Sequence, residues 1–173
     1  MKNKKIQGFT VIELLVSFTL TALVMTFLFQ VVISLKNLYH KTEVQTELIS
    51  KQSLISRFIN EDLANRKISK IEKCNGKDNC YNIYYYKDET MNETETKTLS
   101  IESSHVIRYG DNSYIKLDDN SNFGNISIKI DGDSKTNYTF TNNDQDVMSI
   151  TIPINNTTLD RNFDVSAIYQ NNI

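Results

Sequence analysis

The chain has 173 residues, among them 19 Lys and Arg, 21 Asp and Glu, and two cysteines. A net charge of −2 argues against the strongly basic class of nucleic-acid-binding proteins. The sequence contains no G-x-S-x-G, P-loop, H-E-x-x-H or four-ligand zinc pattern, so we expect neither an enzyme nor a bound cofactor.

The chain begins with an apolar segment that is long enough to cross a membrane. Residues 9–35 contain one charged side chain, Glu13, and neither Gly nor Pro. As a helix they would rise about 40 Å, which exceeds the hydrocarbon thickness of about 30 Å. Because lysines precede the segment, we expect a cytoplasmic N-terminus and an extracytoplasmic remainder, residues 36–173. A carboxylate in hydrocarbon is costly, so either Glu13 has a partner or the segment is not a membrane span.

Residues 36–73 continue the helical pattern without Gly or Pro. Apolar residues recur at helical spacings and predict one face of an amphipathic helix, formed by Val44, Leu48, Ile55, Ile59 and Leu63 and widened by Leu38, Leu54, Phe58 and Ile68. Asn75-Gly76 is the predicted stop of this helix. The sequence shows no second long helix, so this face must pack on a sheet or on other chains.

The two cysteines, Cys74 and Cys80, flank turn-forming residues. An extracytoplasmic location permits a disulfide between them, which we expect to pin the end of the helix to the first strand. The closed loop is short, so the bond would contribute about 2–2.5 kcal/mol. The alternative is metal binding by the two thiolates, although a zinc site normally has four ligands.

Residues 81–173 have the pattern of short strands separated by polar turns. The predicted strands are 81–87, 97–103, 105–110, 113–118, 125–131, 136–141, 146–154 and 163–169. Hairpin turns are expected at 131–134 and 142–144, and Pro153 is expected at a sheet edge or a strand end. Strands joined by turns indicate an antiparallel sheet, so we expect a single extramembrane domain. The predicted fold class is α+β, with the long N-terminal helix packed on this sheet.

An aspartate- and asparagine-rich stretch offers weak candidates for a calcium site. Asp118, Asn120 and Asn122 occupy alternate positions, as in a calcium-binding loop. The following Gly124 and Lys129 do not fit the EF-hand spacing, and such residues are also common in turns. Residues 81–173 carry 7 Lys and Arg against 14 Asp and Glu, which argues against DNA binding by this region.

The stretch KKIQGFTVIELLVSF resembles the type III signal of type IV prepilins and of type II secretion pseudopilins. In that family a peptidase cuts a short basic leader after Gly, and the new N-terminal residue becomes N-methylated. The resemblance implies a leader of residues 1–8, cleavage between Gly8 and Phe9, and methylation of Phe9. It also implies that Glu13 neutralises the new amine during filament assembly. A plain signal anchor without processing is the alternative.

Within this family, the stretch SLISRFINEDLANRKI resembles the helix of J-type pseudopilins and W-type minor pilins, at Glu61, Asp62 and Leu63. Many major pilins carry Gly or Pro in the membrane part of the helix, and this chain carries neither, which argues against a role as the bulk subunit. An acidic pair on a helix is also commonly just a solvated face.

The sequence therefore predicts a minor pilin or pseudopilin at the tip of a type IV pilus or in its priming. A subunit of a type II secretion or competence pseudopilus is the alternative, and a signal-anchored adhesive binding module is the alternative from another class. The resemblance implies as partners other pilin subunits, the prepilin peptidase and methylase, the inner-membrane assembly platform and the cytoplasmic membrane. The chain would be a single-pass membrane protein before assembly and part of a surface filament afterwards.

Overall fold

The computed structural model describes residues 10–87, 93–111, 113–141, 145–159 and 161–171. The chain divides into two units, Met1–Glu43 and Val44–Ile173. The described residues form the helix α1 (Val11–Asn65) and the strands β1 (Ile68–Lys73), β2 (Cys80–Tyr86), β3 (Thr94–Ser103), β4 (Val106–Tyr109), β5 (Ser113–Lys116), β6 (Ser121–Phe123), β7 (Ser127–Ile130), β8 (Asp133–Ser134), β9 (Asn137–Thr139), β10 (Val147–Asn156) and β11 (Arg161–Gln170).

The first unit contains the apolar part of α1, and its side chains are exposed in the single chain. The large apolar side chains from Val11 to Tyr39 are each at least 50 % exposed. The part of the chain that the structure describes holds one helix, α1, that is long and apolar enough to cross a membrane. An apolar surface of this size needs lipid or other protein helices around it.

In the second unit, α1 buries the predicted apolar face. Leu48, Ile55, Ile59 and Leu63 are all less than 5 % exposed, and Val44 packs against the same core. The prediction that Leu54 widens this face is wrong, because its side chain is exposed, and Leu38 lies in the first unit, where it is exposed as well. The buried stripe is therefore narrower than the sequence pattern suggested.

The helix ends at Asn65, so the prediction that it continues to residue 73 is wrong. The following residues form β1, which pairs with β2 on one side and with β9 on the other. Ile68 and Ile71 are buried in the core from this strand. The i, i+3 spacing of Ile68 and Ile71 also suits a helix, but pairing with two neighbouring strands satisfies the same backbone groups, and both side chains are buried. Asn75-Gly76 lies in the loop between β1 and β2 and does not end the helix.

The strands form two sheets, and every pairing among the described strands is antiparallel. One sheet has the order β5-β4-β3-β2-β1-β9, and the other has the order β11-β10-β7-β8, with β6 also pairing with β10. Together with the long helix, this arrangement confirms the predicted α+β fold class. Each of the eight predicted strands overlaps an observed strand, whereas β1, β6 and β8 were not predicted. β6 and β8 are only three and two residues long, which is too short to show an alternating pattern.

The predicted turn at 131–134 joins β7 to β8. Asp131 and Gly132 have φ angles of 52° and 90°, and Ile130 pairs with Asp133 across the turn. Positive φ at both central residues is what a two-residue hairpin turn of type I′ requires, and an Asp-Gly pair meets this requirement with little strain. The other predicted turn, 142–144, lies outside the described residues.

Pro153 lies inside the central strand β10, so the prediction of an edge or strand-end position is wrong. On one side of β10, β7 pairs up to Thr151 and β6 pairs from Ile154, which leaves Pro153 at the gap between them. At this gap the N–H of Gly124 donates to the Pro153 carbonyl at 2.7 Å. A Cβ at position 124 would lie 2.7 Å from the proline ring, so the close approach requires glycine.

Candidate functional site

The N-terminus of α1 is closed by a reciprocal pair of side chains, Thr10 and Glu13. The N–H and the hydroxyl of Thr10 donate to Glu13 Oε2 at 3.0 and 3.1 Å. In return, the N–H of Glu13 donates to Thr10 Oγ1 at 3.3 Å. The Thr10 carbonyl accepts the N–H of Leu14 at 3.2 Å, which makes Thr10 the N-cap residue. This is a capping box, and it satisfies backbone donors that have no partner within the helix.

The capping box supplies Glu13 with a hydrogen-bond partner on its own chain. Its Oε2 atom accepts two hydrogen bonds from Thr10, whereas its Oε1 atom has no hydrogen-bond partner among the described residues. A carboxylate has several acceptor positions, so Oε1 can take a further donor. Thr10 directly follows Phe9 in sequence, so the carboxylate is fixed close to the predicted new N-terminus. Gly8 and Phe9 themselves lie outside the described residues.

Sequence reasoning missed the role of Thr10 as a partner of Glu13. The signal was present, because Thr10-Val-Ile-Glu13 has the T-x-x-E pattern of a capping box directly before an apolar run. Glu13 also lies in the first turn of α1, where the helix dipole favours a negative charge. The position of the acid near this end of the segment thus has a local physical reason.

Cys74 and Cys80 form a disulfide that closes the loop between β1 and β2. The N–H of Cys74 also donates to the Cys80 carbonyl at 2.9 Å. The bond therefore joins the residue after β1 to the first residue of β2, and the prediction that it pins the helix end to the first strand is wrong because α1 ends before β1 begins.

The disulfide loop also contacts both sheets through Asn79. The Asn79 carbonyl accepts the N–H of Ile101 in β3 at 2.9 Å. Its side-chain amide donates to Asn125 at 3.1 Å and accepts the N–H of Ile126 at 3.3 Å, just before β7. The short closed loop thus holds the two sheets together at this end of the second unit.

The weak calcium candidates lie between β5 and the end of β6. One carboxylate oxygen of Asp118 is buried and has no hydrogen-bond partner among the described residues. The Asn120 side chain is exposed and its carbonyl already accepts the N–H of Thr157 at 3.1 Å, while Asn122 pairs with Asn155 within the sheet. Among the described residues, no group of three or more His, Cys, Asp or Glu side chains could hold a metal ion.

Asp62, from the subgroup motif, forms ion pairs with β3 and with the residue that follows α1. Its carboxylate lies 2.7 Å from Lys97 Nζ of β3 and 3.7 Å from Arg66 Nε, and Arg66 lies 2.8 Å from Glu95. The neighbouring Glu61 is exposed, and Leu63 is buried in the core. The three residues of the motif therefore have structural roles: Asp62 forms an ion pair, Glu61 is solvated and Leu63 belongs to the core.

Two buried tyrosines lie beside this ion-pair cluster. The hydroxyl oxygens of Tyr85 and Tyr109 are 2.8 Å apart, and Lys97 Nζ lies 5.7 Å from the centre of the Tyr109 ring. Burial raises the pKa of both phenols well above the ordinary tyrosine value, because the charged form loses its hydration. Both tyrosines therefore remain neutral at physiological pH.

Comparison with known proteins identifies the N-terminal segment. Residues 3–29 match the family model described as the prokaryotic N-terminal methylation motif. The matched range includes the capping box and ends before the second unit begins at Val44. Neither the curated proteins nor the solved structures contain a significant match to the chain.

Proposed function

From the methylation motif at residues 3–29 we propose that the chain belongs to the type IV pilin and pseudopilin family, as a minor subunit that acts at the tip or in the priming of a type IV pilus. The family consists of structural subunits rather than enzymes. Its N-terminal motif implies processing by the prepilin peptidase and assembly with other pilins. The finer assignment, to a minor subunit in a particular position, is our proposal.

The observation that carries the proposal is the geometry at the start of α1. The Thr10–Glu13 capping box fixes a carboxylate beside the predicted cleavage point, and Glu13 Oε1 has no hydrogen-bond partner among the described residues. After cleavage before Phe9, an ammonium group would be available to this oxygen, from the same chain or from a neighbour. Pairing a charge with an opposite charge is what makes it tolerable in an apolar bundle.

The continuity of the helix supports a minor role. α1 runs from Val11 to Asn65 without a break, and its sequence contains neither Gly nor Pro. A segment without helix breakers does not readily unwind in its middle. Many bulk pilin subunits, which carry Gly or Pro there, are expected to do so. A subunit that is placed once, at the tip or in the priming complex, has less need for such a change.

Two other functions fit the same N-terminal segment. A subunit of a type II secretion or competence pseudopilus would use the same signal and helix, and a signal-anchored adhesive module would use only the membrane anchor. The second alternative provides no reason for a Gly-Phe junction followed by a capped glutamate. It is therefore less well supported.

The proposed life cycle begins in the cytoplasmic membrane, with the N-terminus in the cytoplasm and the second unit outside. The peptidase and methylase then act on Gly8 and Phe9, and the assembly platform moves the subunit into the filament.

The test is to detect this subunit in sheared filaments from the native host with a specific antibody, in strains with and without the prepilin peptidase. Detection that depends on the peptidase supports the proposal. A chain that stays in the membrane in both strains contradicts it and favours the anchored binding module.

A further inference from the structure

The membrane segment of α1 contains several hydroxyl groups, and most of them are satisfied by the helix itself. Each donates to a backbone carbonyl three or four residues earlier, at distances of 2.7 to 3.1 Å; these residues are Ser17, Thr19, Thr21 and Thr26. Such bonds allow hydroxyl groups to lie in hydrocarbon at little cost, because no donor is left without an acceptor.

Gln30 and Ser34 differ from these residues. In the described part of the chain, neither side chain has a hydrogen-bond partner. They are four residues apart and therefore lie on the same face of the helix. An amide that is transferred from water to an apolar environment without a partner is strongly unfavourable, so Gln30 requires a partner outside its own helix.

The same face of α1 carries a shallow groove between its side chains. It is lined by Phe27, Gln30, Val31, Ser34, Leu35 and Leu38. Their spacing forms two adjacent sets at i, i+3, i+4 and i+7, which are the four positions that surround an inserted side chain when two helices pack together. Ser34 belongs to both sets, and its small side chain allows a close approach.

We propose that this groove, around Gln30 and Ser34, is where a second copy of the chain packs against α1 in the membrane, with the two Gln30 amides hydrogen-bonded to each other. The inference rests on the proposed function only in that both copies are stored in the membrane with the same orientation. Identical orientation places Gln30 at the same depth in both copies. A primary amide both donates and accepts, so two such groups at one depth are complementary without any other polar residue.

The test is cysteine crosslinking of the full chain in membranes of a host that lacks the pilus assembly machinery. Leu38→Cys places a thiol in the groove, and Lys36→Cys places one on a different face at nearly the same height as a matched control. Oxidation should give a crosslinked dimer with Leu38→Cys and at least about fivefold less with Lys36→Cys.

The amide is tested in the Leu38→Cys background. Gln30→Leu should reduce the crosslinked fraction about fivefold, because it removes the interhelical hydrogen bond. It makes the segment more apolar, so membrane insertion is retained. Thr26→Val, which removes a hydroxyl already bonded within its own helix, should leave the fraction unchanged.

Equal crosslinking at the two cysteine positions, or full crosslinking with Gln30→Leu, would overturn the proposal. A dimer that forms only when other pilins are co-expressed would assign the groove to a different subunit and would also overturn it. Since no filament forms in this host, these results are independent of whether the subunit enters a pilus.

Discussion

Lys97 of β3 and Asp62 of α1 form an ion pair of 2.7 Å that joins the sheet to the helix in the second unit. Their side chains are only 25 % and 15 % exposed, so each would be left largely dehydrated if the other were removed. Asp62 also accepts a longer contact from Arg66, which in turn pairs with Glu95. This cluster fixes the last turns of the helix against the strand that follows the disulfide hairpin.

The first prediction concerns the stability that this ion pair provides. Asp62→Ala should lower the free energy of unfolding by about 1–3 kcal/mol, because Lys97 loses its partner in a mostly buried position. Glu61→Ala, at the exposed neighbouring position, is the matched control and should change it by less than about 0.5 kcal/mol. Chemical unfolding of the full chain in detergent measures both, and equal effects of the two substitutions would contradict the role assigned to Asp62.

Alkaline pH should destabilise the second unit through Tyr85 and Tyr109. Burial raises the pKa of both hydroxyls in the folded state above the unfolded value of about 10. The unfolded chain therefore releases these protons first, and stability is lost as the pH rises above about 10. The unfolding midpoint from pH 8 to 11 should fall less steeply in Tyr85→Phe than in the unsubstituted chain. If the midpoint fell equally steeply with pH in both proteins, these tyrosines would not contribute to the alkaline loss of stability.

The disulfide should be fully formed in the exported protein. Thiol labelling under denaturing, non-reducing conditions should find neither Cys74 nor Cys80 free. Replacing both with Ser should lower the free energy of unfolding by about 2–2.5 kcal/mol, since only a short loop is released in the unfolded state. Complete labelling of the exported chain without reductant would refute the prediction.

Processing should begin the mature chain at Phe9 with a methylated amine. The basis is the Gly8-Phe9 junction behind the lysines of the leader. Mass spectrometry of the N-terminus should find this species in cells that contain the peptidase, and Gly8→Val should block cleavage without preventing membrane insertion. An intact Met1 in such cells would contradict this prediction.

Glu13 should matter for assembly and not for membrane storage. Glu13→Leu removes a charge from the apolar segment, so membrane levels should be normal or higher. Incorporation into sheared filaments should be lost, because the new amine would have no carboxylate partner. Glu13→Gln should have nearly the same effect, since it keeps the shape of the side chain and loses its charge. Normal incorporation of Glu13→Leu would contradict the proposed pairing of Glu13 with the new amine.

A variant of Thr10 separates capping from charge pairing. Thr10→Ser keeps the N-cap hydroxyl and is the control for Thr10→Val, which removes it. If Glu13 acts mainly through its charge, Thr10→Val should reduce incorporation less than Glu13→Leu does, because the carboxylate remains. Equal loss in the two variants would show that the capping box itself is the feature that assembly requires.

Several features of this protein could be predicted from local sequence. The N-terminal signal depends on residue types at fixed offsets, and the match over residues 3–29 confirms the prokaryotic N-terminal methylation motif. The buried face of α1 at Leu48, Ile55 and Ile59 follows from helical periodicity, and the longer strands follow from alternation. Even the cap at Thr10 was readable from its spacing to Glu13, although it was missed.

Only the tertiary structure decided where the helix ends and how the strands are ordered. Residues 66–73 contain no helix breaker, and the i, i+3 spacing of Ile68 and Ile71 is typical of a helix. These residues form strand β1 because β2 and β9, which are separate segments of the chain, supply its hydrogen bonds and because Ile71 is buried in the core. Pro153 is tolerated in a central strand for a similar reason, since β7 and β6 leave a gap beside it. Local sequence determines which face of an element is apolar, whereas hydrogen bonding between distant segments determines which element forms where both are possible.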